Sequence, residues 1–133
     1  MSQADIEALL GGYEAFNRGD TAAWLDRFDQ DAELHDLPNA PDTRVYRGHD
    51  GLREWAELVG GEAWAEFRFE PEEVREAGEF VFVSVRITAR GRGSGVPTDM
   101  RVFHVAEIRG GKVVRLAGYF DRAEALEAAG LTE

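Results

Sequence analysis

The sequence predicts an α+β domain, a curved antiparallel sheet laid over helices, and three observations carry the prediction. Residues Thr98 to Phe120 read as two long strands joined by Gly110-Gly111, a pair that accepts the positive φ angles of a tight type I′ hairpin turn. Three stretches within the first sixty residues hold apolar side chains at helical spacing instead. Phe80 to Ala89 then alternates with apolar residues on both faces, so that strand needs cover on two sides. Helices gathered on one face of such a sheet define the class.

Taken in order, Ser2 and Asp5 form a capping-box pattern ahead of an apolar stripe of Ile6, Leu9, Leu10, Tyr13 and Phe16. Gly19 is placed to end that helix in a left-handed cap. Asp20 can cap a second helix with Ala23, Trp24 and Phe28 facing inward. From Asp31 a short strand is expected, with Ala32, Leu34 and Asp36 on its inward side and Glu33 and His35 opposite. A loop over Leu37 to Thr43, rich in proline, precedes a third helix at about 49–59 with Leu52, Trp55 and Leu58 on one side, halted by Gly60-Gly61. The remainder reads as sheet. Ala63 to Arg75 alternates around Ala65, Phe67 and Phe69, and Pro71 marks an edge or a bend. Phe80 to Ala89 follows, then the turn at Arg90 to Gly95, the hairpin, and a short C-terminal helix opened by Asp121. The second apolar face of Phe80 to Ala89 suggests a partner subunit, hence a homodimer.

At 133 residues without repeats, the chain reads as a single domain over 1–133. It has no cysteine, which excludes disulfides, thiolate metal sites and a thiol nucleophile. The formal net charge of −11 repels phosphate backbones, so nucleic acid and anionic membrane are not expected partners. The start lacks a leader pattern and no run approaches ~20 apolar residues, so a cytoplasmic location is expected. The glycine-rich turn at Arg90 to Gly95 joins strands and precedes no helix, so it lacks the context of a phosphate cradle. Its Ser94 has no base nearby in the pattern to activate it. The three histidines, His35, His49 and His104, fall on different elements and give no metal-ligand spacing, so no metal is expected.

Several stretches together resemble the SnoaL-like family of the nuclear transport factor 2-like superfamily: Asn17-Arg-Gly-Asp20, Asp31-Ala-Glu-Leu-His-Asp36, Arg47-Gly-His-Asp-Gly-Leu52, Gly91-Arg-Gly-Ser-Gly95, Gly111-Lys-Val113 and Tyr119-Phe-Asp-Arg-Ala-Glu-Ala-Leu126. The resemblance runs over nearly the whole chain. It implies a cone-shaped curved antiparallel sheet wrapped around three N-terminal-half helices with a short C-terminal helix, an axial pocket, and commonly a dimer through the outer sheet face. Its members include ketosteroid isomerases, polyketide cyclases, epoxide hydrolases and pocketed proteins without a known reaction, so fold alone does not assign a function.

Asp36 falls where the resemblance implies the proton-shuttling aspartate of the isomerases. A carboxylate on the inward end of a strand, among Trp24, Phe28, Trp55 and Phe120, is also expected on physical grounds to become a better base as water is excluded; the plain alternative is an aspartate that caps the turn before Pro38 or sits in water at the pocket mouth. Enolate chemistry further needs donors at the developing oxyanion. The resemblance puts Gly12 and Phe103 where the isomerases carry those donors, and Ala56 and Phe28 at further tyrosine positions, so a steroid isomerase proper is not expected. Asp99 and Arg101 share one face of the hairpin with Phe103 and Val105 and, in the simple turn register, with Leu116, Gly118 and Phe120. They are candidate polar support for Asp36, or else a rim ion pair. The same register sends His104 to the opposite face. They are also similar to the Asp-Arg-Asp set of the superfamily's epoxide hydrolases, with the order reversed and Gly118 in place of the last aspartate.

Gly12, Tyr13, Phe16, Trp24, Phe28, Trp55, Phe67, Phe103, Leu116, Gly118 and Phe120 form the expected ligand pocket, its glycines leaving room for a flat apolar molecule. The expected function is that of a small-molecule pocket protein. One reading is a cofactor-independent isomerase or cyclase acting on a hydrophobic carbonyl compound through Asp36. The alternatives are a non-catalytic binding protein for an apolar molecule and, third, an epoxide hydrolase.

Overall fold

The computed structural model describes residues 3–38, 45–61 and 64–132. Ser2 of the capping box, residues 39–43 of the expected loop and Ala63 lie outside the described residues. Helix α1 (Gln3–Asn17) buries Leu9 and Tyr13. It ends as its sequence predicts, with Gly19 at φ 77° and the Asp20 N–H on the Ala15 carbonyl at 2.9 Å. Asp20 then caps α2 (Thr21–Leu25), accepting from the Ala23 N–H at 3.1 Å. That helix is short, and Phe28 opens strand β1 (Phe28–His35) instead of lying on the helix face. After β2 (Val45–Arg47) comes α3 (Gly48–Gly60), which buries Leu52 and Trp55 but leaves Leu58 61% exposed. Each three-residue step drifts about 60° off the stripe in a helix of 3.6 residues per turn, so Leu58 has rotated out while Val59 has returned to the core side.

Strands β3 (Trp64–Ala77), β4 (Phe80–Gly91), β5 (Pro97–Arg109) and β6 (Lys112–Tyr119) complete a six-stranded sheet in the order β2-β1-β6-β5-β4-β3. All neighbours are antiparallel except β1 and β6, which run parallel, so the sheet is mixed where the sequence pattern suggests a purely antiparallel one. Only consecutive strands joined by tight turns have their direction dictated locally, and β1 reaches β6 after most of the chain has intervened. The sheet stays open, with β2 and β3 at its edges. Pro71 sits on the edge strand β3, where the register shifts between Pro71 and Glu73, a bulge that takes a residue unable to donate to the ladder.

The inner face of β4 (Val81, Val83, Val85) packs with Val102, Ala106 and Ile108 of β5 against the helices. Its outer face carries Phe82, which joins Phe103 and Val105 beneath α4 (Arg122–Ala128). Asp121 opens that helix by accepting from the N–H groups of Ala123 and Glu124. Arg122 then fastens it, with two bonds to the Glu73 carboxylate at 2.9 and 3.2 Å and its guanidinium 5.2 Å from the Phe82 ring centre. The second apolar face, assigned from sequence to a partner subunit, is therefore covered at Phe82 by the chain's own C-terminal helix. Beyond α4 the outer face is a lattice of exposed ion pairs, including Arg90–Glu66 and Arg68–Glu70. Among the described residues no helix is long and apolar enough to cross a membrane.

The hairpin holds the main departure from the sequence reading. Gly110 and Gly111 have φ of 58° and 78°, as the tight turn requires, and pair Arg109 with Lys112 and Ile108 with Val113. The register then shifts, so that Glu107 faces Arg115, Ala106 faces Leu116 and His104 faces Gly118. Val114 is the extra residue of a bulge. Because side chains alternate with period two, one inserted residue exchanges the faces of everything beyond it relative to the partner strand.

Candidate functional site

A cavity of about 370 Å³ lies between α3 and the inner sheet face. Trp55 and Val59 of α3 form one wall, Phe67 and Phe69 of β3 with Ile87 and Ala89 of β4 another, and Met100, Leu116 and Gly118 line the strand side. This volume falls within the range of small-molecule sites. Its lining is almost wholly apolar, and among the described residues Asp36, His35 and His104 are the titratable side chains that contribute to it.

Asp36 stands one residue past the end of β1, whose register pairs Leu34 with Leu116 and His35 with Ala117. The next step brings it level with Gly118. Two donors orient its carboxylate: the indole Nε1–H of Trp55 to Oδ2 at 3.2 Å and the backbone N–H of Leu37 to Oδ1 at 2.7 Å. A half-buried acceptor held from two sides at the wall of an apolar cavity is placed to receive a hydrogen bond or a proton from an enclosed molecule. His35, the neighbouring residue, is engaged elsewhere, with Nε2 3.0 Å from Glu33 Oε1.

Across Gly118 from Asp36 is His104, its strand partner on β5. The Tyr13 hydroxyl lies 2.7 Å from His104 Nδ1, and the two rings stack with centroids 5.8 Å apart. Both groups are buried. Burial raises the Tyr13 pKa, keeping its hydroxyl protonated, and lowers that of His104 to about 4, keeping the imidazole neutral at physiological pH.

The structure sorts the pocket residues expected from sequence into several groups. Trp55, Phe67, Leu116 and Gly118 line the cavity. Trp24 and Phe28 form a layer behind it, Trp24 stacked on Trp55 at 5.7 Å and Phe28 edge-on to Trp24 at 5.0 Å. Tyr13 stands behind His104. Phe16 lines a second, wider groove of about 990 Å³ that opens to solvent beside the cavity and shares Trp64 and Phe67 with it. Gly12 does not enlarge the cavity: a Cβ there would stand 3.2 Å from Arg27 Cγ, so the missing side chain accommodates the arginine stem. The space above Gly118 is entered by Leu37, whose Cδ2 lies 3.0 Å from where a Cβ would be.

Phe103 and Phe120 are corrections. Phe103 packs beneath α4 on the outer face, and Phe120, after the end of β6, is 39% exposed. Asp99 and Arg101 are corrected with them, because they share the outward set of β5. Asp99 accepts from Arg86 at 2.9 and 2.5 Å, and Arg101 donates to Glu72 at 2.7 Å, all on the exposed face away from Asp36. The Arg86 and Arg101 guanidiniums hold the carboxyls of Asp99 and Glu72, respectively, below the usual carboxylate range. His104, read from sequence as outward, is the inward residue.

The β5 composition carried a signal for this. Its odd positions hold Asp99, Arg101, Glu107 and Arg109, whereas Thr98, Met100, Val102, His104, Ala106 and Ile108 carry no formal charge at neutral pH. The uncharged set is the one that suits an interior face. Among the described residues, no cluster of three or more histidines, aspartates or glutamates is arranged to hold a metal ion.

Comparison with known proteins agrees with this architecture. The chain resembles an NTF2-like protein of unknown function from Burkholderia pseudomallei K96243, with 25% identity over 97% of this chain and 98% of that one and a TM-score of 0.78. It shares its fold with TerC, which was co-crystallized with polyporic acid (24% identity, 96% and 98% coverage, TM-score 0.78). It also shares it with a putative SnoaL-like polyketide cyclase from Jannaschia sp. CCS1 (16% identity, 100% and 98% coverage, TM-score 0.77). No curated protein matches the sequence significantly. Residues 11–116, from the middle of α1 into β6, match the SnoaL-like domain, and the chain therefore belongs to the SnoaL-like domain family.

Proposed function

We propose that this protein binds an uncharged hydrophobic carbonyl compound in the inner cavity and isomerises or cyclises it without a cofactor, with Asp36 as general acid/base. The observation that supports this most is the Asp36 carboxylate, oriented by Trp55 and Leu37 at the wall of an otherwise apolar space. The chemistry is a proton shuttle. Asp36 takes a proton from a carbon next to the carbonyl, the electrons move onto the carbonyl oxygen as an enolate, and the same carboxyl returns the proton either to another carbon or, once the enolate carbon has closed a ring onto a second carbonyl, to the alkoxide oxygen so formed. The absence of any arginine or lysine from the described cavity lining favours a neutral ligand, since an anion would meet Asp36 with no opposite charge to balance it. A fold shared with a putative polyketide cyclase and with TerC, which was co-crystallized with polyporic acid, is consistent with a small-molecule pocket.

The test is deuterium exchange at the α-carbons of a panel of two-ring ketones in D₂O, followed by proton NMR. Wild type should accelerate exchange of at least one member, and Asp36→Asn should lose roughly 10²–10⁴-fold of that rate with affinity changed only a few-fold, the usual range for one general base. Equal rates in the two proteins would remove Asp36 from the mechanism. A second reading, a carrier that holds an apolar molecule unchanged, is favoured by one specific observation: Asp99 and Arg101, the expected polar support, are paired on the outer face. It predicts saturable ketone binding with exchange no faster than in buffer. The same observation leaves the epoxide hydrolase reading without its acid-arginine set. A homodimer through the outer sheet face belongs to the same reading, and sedimentation at micromolar concentration tests it: a monomer there would remove it.

A further inference from the structure

The enolate reading requires a hydrogen-bond donor aimed at the developing oxyanion, and the positions that the family resemblance assigns to such donors hold Gly12 and Phe103. The structure supplies a donor elsewhere. Tyr13 is buried, and its hydroxyl has His104 Nδ1 as its hydrogen-bonding partner. A buried hydroxyl proton without an acceptor is costly, so Tyr13 donates to Nδ1, and the neutral imidazole must then carry its own hydrogen on Nε2. Nε2 has no protein partner among the described residues, yet it is not among their enclosed unpaired atoms, where Arg27 Nε stands alone. It therefore opens onto the cavity that His104 lines.

We infer that His104 Nε2–H is the oxygen-docking donor of this pocket, that Tyr13 is the positioning residue that sets its tautomer, and that the ligand places a carbonyl oxygen on His104 and its acidic C–H or O–H toward Asp36. The inference rests on the carbonyl reading proposed above and narrows it. Asp36 and His104 flank Gly118 from the two neighbouring strands, so their backbones are separated by about two strand spacings, roughly 10 Å. A compact ketone spans that gap between the two side chains. A neutral donor suits the task, because it binds the oxygen of the ground state and strengthens as negative charge gathers there, without a buried cation facing Asp36.

The probe is 2-acetonaphthone labelled with ¹³C at the carbonyl, titrated into wild type, His104→Phe and Tyr13→Phe. Binding is followed by tryptophan quenching, and the carbonyl stretch of the bound ketone by infrared difference spectroscopy. ¹⁵N NMR of the free protein reports the tautomer. The expected result is protonated Nε2 and unprotonated Nδ1 in wild type, and a carbonyl band shifted to lower frequency on binding. That shift should be lost in His104→Phe along with about five- to tenfold in affinity, the value of one neutral hydrogen bond. In Tyr13→Phe, which keeps the imidazole, the tautomer signal should become mixed and the shift smaller. If the ketone binds and its band is unshifted, or is shifted equally in wild type and His104→Phe, the His104 assignment is overturned while the pocket reading stands. If wild type does not bind the ketone at millimolar concentration, both fall. Circular dichroism establishes that each variant is folded, and should His104→Phe fail to fold, the band and tautomer in Tyr13→Phe decide the question alone.

Discussion

Acidification should destabilise this protein through one buried side chain, His104. Its pKa in the folded protein is lowered from the ordinary 6.5 to about 4 because burial opposes the charged form. The unfolded chain therefore binds more protons than the folded one between those two values. Stability is fully present above the unfolded pKa, falls as the pH drops through the window, and levels off below the folded pKa. The whole shift corresponds to roughly 3 kcal/mol, and most of it is lost between about pH 7.5 and pH 4.5. The residue is only 8% exposed, so solvent screening does not dilute the effect. Glu33, Glu72, Glu73 and Asp99 are held below their ordinary values by histidine or arginine partners and act in the same direction, but their window lies lower, in the carboxylate range. His104→Phe separates the two contributions. It removes the titrating group while leaving those carboxylates, and the acceptor lost to Tyr13 lowers stability equally at both pH values. Urea unfolding of both proteins at the two pH values should show wild type losing about 2–3 kcal/mol more than the variant on acidification. Equal losses would mean that His104 protonates freely in the folded protein, and the buried neutral imidazole would have to be abandoned.

Three further outcomes follow from the same packing. Leu126→Ala, at a side chain 1% exposed beneath which Phe82 and Phe103 lie, should cost about 2–5 kcal/mol in urea unfolding, and a loss below about 1 kcal/mol would show that α4 does not hold the outer face. Gly118→Val should push Leu37 into the cavity and weaken binding of 2-acetonaphthone at least tenfold, as read by tryptophan quenching; unchanged affinity would exclude this cavity as the binding site. Replacing Arg86 and Asp99 together by alanine should change stability by less than about 1 kcal/mol and leave ketone affinity as it is, because that exposed pair faces away from the cavity. An effect on binding would place the pair in the site after all.

Local chemistry wrote much of this fold into the sequence. Gly19, Asp20, Gly110-Gly111 and Asp121 each act through their own backbone angles or their nearest N–H groups, and each does in the structure what its residue type requires. The α+β class and the inward position of Asp36, one residue past the end of β1, followed from apolar periodicity over a few residues, a short-range property of the chain. What the tertiary structure alone decided was which faces meet. The bulge at Val114 is a choice between two pairings of the same strands, settled by whether the charged or the uncharged set of β5 is buried, and it exchanged Phe103 for His104 at the cavity. The parallel pairing of β1 with β6 and the covering of Phe82 by α4 likewise join residues far apart in sequence. Tyr13 and His104, 91 positions apart, become a hydrogen-bonded pair only because the tertiary fold brings one residue of α1 to one residue of β5, a relation that no local spacing encodes.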